Sequence, residues 1–237
     1  MSNHGRFQLQ NKKGVIQVEE EIKTEVKSFP LIGEPAPDFE AVTTHGKIRL
    51  SQFRGKWVVL FSHPADFTPV CTTEFVAFSR INDELQSLNT QLIGLSIDSV
   101  HSHIAWVRNI KEKFDVDVPF PVIADLDMKV AKMFGMVHPN VSGTSAVRAV
   151  FVIDDKGIVR TILYYPQSTG RNMSEIIRIV KALQTADAYK VATPANWKPG
   201  DKVIVPAPAT VEAAKTRMQE GYECYDWYLC MKELPKE

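Results

Sequence analysis

Cysteine is scarce in this 237-residue chain, which holds only Cys71, Cys224 and Cys230. Three cysteines so far apart cannot form the disulfide framework of a small secreted domain, and the odd count leaves at least one thiol outside any intramolecular bridge. Neither sign of charge is in excess: Lys+Arg and Asp+Glu both number 28. No nucleic-acid or anionic membrane partner is therefore expected. No apolar run approaches the ~18 residues that a membrane span needs. Residues 1–30 carry several charges and no continuous apolar block, so no secretory signal is expected and a cytoplasmic location is. Repeats, low-complexity tracts and a phosphate-binding glycine loop are all missing. So is a lipase-type Gly-x-Ser-x-Gly elbow; Gly94-Leu95-Ser96-Ile97-Asp98 comes nearest and lacks the second glycine. The closely spaced Cys pairs of a structural zinc site do not occur either, and no metal or other cofactor is expected.

What is present suits an ordinary globular core, with 44% hydrophobic and 24% charged residues. The chain is organised around WVVLFSHPADFTPVCTTEF, residues 57–75. Trp57 to Ser62 is a short apolar run that reads as a buried, parallel-type strand. Pro64 ends it, since proline cannot continue a ladder. Thr68 suits a helix N-cap and Pro69 the first helical position, where its missing N–H costs nothing. Cys71 is then the third helical residue, beside free backbone N–H groups and the positive end of the helix dipole, which favours thiolate over thiol.

The remaining pattern alternates strands and helices. Val18, Ile22 and Val26 suit either a weak amphipathic helix or a solvated arm. Short strands are predicted near Phe39–Val42 and Ile48–Leu50. Phe75, Phe78, Ile81, Leu85 and Leu88 share one face of the helix that carries Cys71. Gln91–Ile97 reads as a second buried strand, and Ser99 or Ser102 as the cap of a helix with Trp106, Val107, Ile110 and Phe114 inward. A third strand at Pro121–Ala124, a short helix over Val130–Phe134 ended by Gly135, and a hairpin of residues 147–154 and 157–165 follow. Asn172 with Glu175 three residues on resembles a capping box. This order predicts a mixed α/β sheet covered on both faces. Beyond about Ala188, prolines interrupt what reads as an extended arm, with a modest helix capped by Thr210. It ends in the aromatic-rich GYECYDWYLCMKEL, with too little apolar surface for a core of its own. Cys224 and Cys230, if helical, would lie about 9 Å apart along the axis, too far to pair directly; a non-helical tail removes that objection.

The run Pro64-Ala65-Asp66-Phe67-Thr68-Pro69-Val70-Cys71 resembles the peroxidatic loop of peroxiredoxins, Pro-x-x-x-Thr-x-x-Cys. His63 and the Phe-Thr-Pro-Val-Cys wording are similar to the peroxiredoxin 6-like (1-Cys type) branch. The late cysteine pair is similar to that of its archaeal members. The resemblance spans about residues 30–232 and implies a thioredoxin-like fold with an extended C-terminal arm. Its boundaries divide the chain into an N-terminal extension (1–28), a peroxidase domain (29–187) and a C-terminal dimerisation arm (188–237). It implies a thiol-dependent peroxidase acting on hydrogen peroxide and alkyl hydroperoxides, with Cys71 as the attacking sulfur. Thr68 and Arg148 would orient the peroxide, Arg171 would brace Arg148, and Pro64 and His63 would border the substrate. Cys230, with Cys224 as the alternative, would resolve the oxidised Cys71 from another subunit. A thioredoxin-like protein or small thiol would be the reductant, and the assembly a homo-oligomer, dimer-based, closing into a decameric ring. The same residues would also serve a redox-switched binding protein or a purely structural thioredoxin-like module; multiple peroxide turnovers per subunit separate the enzyme from both.

Overall fold

The computed structural model describes residues 29–235, so the spaced valines and isoleucine at 18–26 lie outside the described residues. Seven strands form the main sheet: β1 (Glu40–Thr43), β2 (Gly46–Arg49), β3 (Trp57–Ser62), β4 (Thr90–Ser96), β5 (Val122–Ala124), β6 (Arg148–Ile153) and β7 (Val159–Tyr165). Their order is β2-β1-β5-β4-β3-β6-β7, with β3, β4 and β5 parallel and the others joined antiparallel. Four helices cover it: α1 (Pro69–Ser87), α2 (Val100–Phe114), α3 (Lys129–Met133) and α4 (Met173–Tyr189). This is the mixed, doubly covered sheet that the sequence predicts.

The run at 57–62 is apolar throughout because β3 is central, and all six of its residues are buried. Its alternate side chains feed two separate cores. Trp57, Val59 and Phe61 pack with Phe75 and Phe78 of α1, Trp106 of α2 and Val180 of α4. Val58 and Leu60 face Ile93, Phe134 and Phe151 on the other side. Truncating a fully buried aromatic such as Phe61 to alanine would cost about 3–5 kcal/mol through lost transfer energy and the cavity left behind.

Helix ends follow local chemistry. Of the two serines considered, Ser99 is the cap of α2, its hydroxyl accepting from the Ser102 amide at 3.1 Å. Asn172 caps α4 by accepting from the Ser174 and Glu175 amides at 2.9 and 3.4 Å. The reciprocal half of a capping box is missing, because Glu175 instead pairs with Arg178. Beyond α3, Gly135 takes φ 65°, a conformation that a side chain would strain.

The C-terminal arm carries secondary structure of its own. A second sheet is built from β8 (Val203–Val205), β9 (Glu223–Asp226) and β10 (Leu229–Lys232), with a short helix α5 (Val211–Arg217) between them. Thr210 caps α5, accepting from the Ala213 amide at 3.2 Å. Trp197, Val203 and Val191 form a small core only together with Ala182 of α4, which lends them an apolar face. The aromatics of the β9–β10 hairpin stay outside that core: Tyr225 is 74% and Tyr228 55% exposed.

Candidate active site

β3 runs out at Ser62, and a tight turn over 63–68 delivers the chain into α1. Phe67 takes φ 53° in this turn, a conformation uncommon for a bulky residue. Thr68 stands at the N-cap with extended backbone and Pro69 opens the helix, but the Thr68 hydroxyl does not cap. It donates to the Ala65 carbonyl at 2.9 Å, which leaves its lone pairs free to accept. Cys71 follows as the third helical residue, and it is the free cysteine and is fully buried.

Two arginines from distant parts of the chain converge on this helix turn. Arg148, the first residue of β6, donates through Nη1 to the Cys71 sulfur at 3.3 Å and to Glu74 Oε2 at 2.7 Å. Its Nε and Nη2 both donate to the Gln167 carbonyl, at 2.9 and 2.7 Å, which fixes the guanidinium plane. Arg171, next to the Asn172 cap, clasps the other side of Glu74, with Nε at 2.8 Å from Oε1 and Nη2 at 2.6 Å from Oε2. Its backbone amide also donates to Glu74, while Nη1 reaches the Ser62 and Ala149 carbonyls at 2.9 and 2.8 Å. The Arg171 guanidinium carbon lies 5.1 Å from the Phe61 ring centre and 5.2 Å from that of Phe78. Arg171 therefore braces both the strand end and Arg148 through one shared carboxylate.

Glu74 is one of three site residues not singled out from sequence. Burial pushes its carboxyl up, but hydrogen bonds from Arg171 and the charges of Arg171 and Arg148 outweigh this, and it stays below the ordinary glutamate value. Arg171 is also lowered, by burial, despite the hydrogen bonds and charge of Glu74. A signal for Glu74 existed: it lies three residues after Cys71, one helical turn on, and just before the inward-facing Phe75.

On the far side of the turn, His63 and Pro64 are buried, and His63 Nε2 lies 3.0 Å from Asp66 Oδ1. His103 of α2 holds the same carboxylate through Nδ1, at 2.8 and 3.0 Å from its two oxygens. Ser102 Oγ donates to it at 2.8 Å. Neither Asp66 nor His103 was singled out from sequence. Among the described residues, His63, Asp66 and His103 are the group whose ligand atoms cluster within 4.8 Å, as a metal site requires. The fit is poor: Asp66 oxygens lie at hydrogen-bond distance from both rings, whereas ligands on a tetrahedral zinc stand about 3.3 Å apart.

Cys224 and Cys230 face each other across β9 and β10 and form a disulfide. The tail is therefore a hairpin, and the objection to pairing that assumed a helix does not apply. Ser96, centre of the incomplete elbow, is buried and donates to Asp98 at 2.6 Å.

Fold and site together define a thioredoxin-like domain that presents a helix-start cysteine to a fixed guanidinium. Residues 32–162 match the AhpC/TSA family, and residues 182–221 match the C-terminal domain of 1-Cys peroxiredoxin. A peroxiredoxin of Aquifex aeolicus is 61% identical over 221 residues, covering 89% of this chain and all of that one. One from Methanosarcina mazei is 60% identical over 215 residues, covering 86% and 98%. Among solved structures, the chain is similar to yeast mitochondrial 1-Cys peroxiredoxin (TM-score 0.76, 42% identity, 86% of this chain and 99% of that one). It is likewise similar to a cysteine-to-serine mutant of peroxiredoxin 6 from Arenicola marina (TM-score 0.77, 38% identity, 87% and 99%). The chain belongs to the peroxiredoxins, the thiol-dependent peroxidases that its sequence resembles. No helix among the described residues is long and apolar enough to cross a membrane.

Proposed function

We propose that the enzyme reduces hydrogen peroxide and small alkyl hydroperoxides at Cys71, through a sulfenic acid that a C-terminal cysteine of another subunit resolves. The observation that carries this reading is a charge count. Arg148 and Arg171 bring two buried positive charges and Glu74 one negative charge, so one positive charge is left beside the sulfur. A thiolate at Cys71 completes the balance, and buried charges persist only when paired.

The thiolate attacks the nearer peroxide oxygen as the O–O bond breaks. The sulfur is oxidised to sulfenic acid, and the departing hydroxide or alkoxide takes up a proton as water or alcohol. Arg148 stabilises charge growing on the oxygens, and the free lone pairs of the Thr68 hydroxyl accept the hydroperoxide hydrogen. Pro64 and His63 wall the pocket.

Resolution begins when the Cys230 thiol of a neighbouring subunit displaces water from the Cys71 sulfenic acid, forming a Cys71–Cys230 disulfide. Cys224 then attacks Cys230, freeing Cys71 and leaving the Cys224–Cys230 bridge seen across the hairpin. A thioredoxin-like protein or small thiol would reduce that bridge at Cys224, since Cys230 is only 1% exposed. Residues 188–237 act as the dimerisation arm on the domain at 29–187; the exposed Tyr225, Trp227 and Tyr228 suit burial against a partner. Dimers closing into a decameric ring complete the reading.

The test is peroxide consumption with dithiothreitol for wild type, Cys71→Ser, Cys224→Ser and Cys230→Ser, with non-reducing gels alongside. Cys71→Ser is expected to abolish turnover, and Cys230→Ser to abolish the covalent dimer. A dimer that survives Cys230→Ser but not Cys224→Ser reverses the resolving assignment, and turnover by Cys71→Ser refutes the mechanism.

A further inference from the structure

The buried cluster behind His63 has a charge arrangement that the peroxidase reading does not use. His103 is fully buried and anchored at both ring nitrogens. Its Nε2 lies 3.1 Å from the Ile123 carbonyl oxygen, and its Nδ1 lies 2.8 and 3.0 Å from the two Asp66 oxygens. A carbonyl and a carboxylate only accept, so both nitrogens of His103 must carry hydrogen and the ring is a cation. Asp66 is its anion: burial opposes ionisation, but hydrogen bonds from His103 and His63 outweigh it and hold this carboxyl far below the ordinary aspartate value.

His63 shares that carboxylate, with Nε2 at 3.0 Å from Asp66 Oδ1, so Nε2 is the nitrogen bearing hydrogen. Burial pushes His63 toward its neutral form, against the pull of Asp66. Its Nδ1 is sealed from water and has no hydrogen-bond partner among the described residues. A buried polar atom without a partner is costly and calls for an explanation. The groups that face His63 electrostatically are Asp66, His103 and Asp98; Asp98 is only half-buried, so water screens its charge. Its ring also packs edge-on against Phe75, 4.7 Å between centres, and beside Trp106 at 5.2 Å.

We infer that His103 is a positioning residue that works by supplying the counter-charge to Asp66. Because His103 already neutralises the carboxylate, His63 need not become the cation, and its Nδ1 keeps a free lone pair at the strand end that borders the Cys71 pocket. Without the charge on His103, the buried Asp66 would draw a second proton onto His63, and the acceptor at Nδ1 would disappear. The use of that acceptor by peroxide rests on the proposed placement of His63 beside the substrate.

The experiment uses the full-length reduced enzyme labelled with ¹⁵N-histidine, with His63→Gln and His103→Asn identifying the two rings. The wild type at neutral pH is expected to show one bare and one protonated nitrogen on His63 and two protonated nitrogens on His103. In His103→Asn, whose amide can still donate to Asp66 but has no charge, His63 is expected to gain a second proton. The rate at which one equivalent of hydrogen peroxide oxidises Cys71 should then fall about 10²-fold or more, the usual contribution of one positioned proton acceptor. Adding Asp66→Asn removes the orphaned anion and is expected to restore the bare His63 nitrogen and most of the rate; a purely structural role would make this double variant worse. A bare nitrogen on wild-type His103, or an unchanged His63 spectrum in His103→Asn, overturns the inference. Unchanged peroxide kinetics in His63→Gln, with the wild-type spectra as expected, refutes instead the placement of His63 at the substrate.

Discussion

The chain keeps its cysteines in two contrasting places. Cys71 is sealed inside the main domain, one helical turn from a buried Glu74 and 3.3 Å from the Arg148 guanidinium. Cys224 and Cys230 sit on a hairpin whose neighbouring Tyr225, Trp227 and Tyr228 are exposed and which contributes no residue to the small core of Trp197 and Val203 against α4. At the first site charge is held by a rigid frame of fixed donors. At the second, backbone pairing and one covalent bond hold two strands side by side. The difference suits the proposed division of the redox cycle: attack on peroxide needs donors already in place, whereas thiol exchange needs a sulfur that an outside molecule can reach, as the half-buried Cys224 is and Cys230 is not.

The largest effect that would sharpen this contrast is on chemistry. Truncating Arg148 to methionine should slow Cys71 oxidation about 10²–10³-fold, the cost of removing one preorganised donor, and peroxide-driven formation of the Cys224–Cys230 disulfide, which runs through Cys71, should slow with it. Stopped-flow measurement with limiting peroxide reads the first, and non-reducing peptide mapping the second. Next is a stability effect. Glu74→Gln leaves two buried guanidiniums sharing one site without their carboxylate, and it should cost about 3–5 kcal/mol in chemical denaturation. A loss below about 1 kcal/mol would mean that the site is not a tightly coupled charge network.

A smaller effect is expected at the hairpin. The Cys224–Cys230 bridge closes a short loop, with a sequence separation of 6. In the chain-entropy model it is worth about 2 kcal/mol. Dithiothreitol should therefore speed amide exchange in β9 and β10 and leave β3 and β6 unchanged. Acid supplies a graded test of the buried half. Asp66 has a depressed folded value, so its contribution is complete above the unfolded aspartate range and disappears as pH falls below about 4. Glu74 acts in the same direction. Denaturation midpoints measured between pH 7 and pH 3 should fall with pH in the wild type, and less steeply in Asp66→Asn. Least of all, Lys181→Ala removes the exposed Glu84 pair and should change stability by no more than about 1 kcal/mol.

Much of the first site was legible in the sequence, because its parts are local or sit at element ends. The apolar run of β3, Pro64, the Thr68-Pro69 helix start and the position of Cys71 follow from spacing and backbone chemistry alone. Arg148 and Arg171 could be named only through resemblance, since Arg148 lies 77 residues from Cys71 and Arg171 lies 97 from Glu74. Glu74 and His103 escaped for a different reason. Each occupies an ordinary helical position, and only the packing of another element against it turns a surface-type residue into a buried ion. The hairpin escaped because its turn, at Asp226-Trp227-Tyr228, contains neither glycine nor asparagine, the usual marks of a tight reversal.

The central claim is that one sulfur, Cys71, meets the oxidant first because the charges around it are balanced only when it is ionised. Mixing the fully reduced enzyme with one equivalent of hydrogen peroxide and a sulfenic-acid trap, then mapping the adduct by mass spectrometry, tests this directly. The account predicts label on Cys71 in the wild type and its near-complete loss in Arg148→Met over the same interval. Label on Cys224 or Cys230 instead, or equal labelling of Cys71 in both proteins, would contradict it.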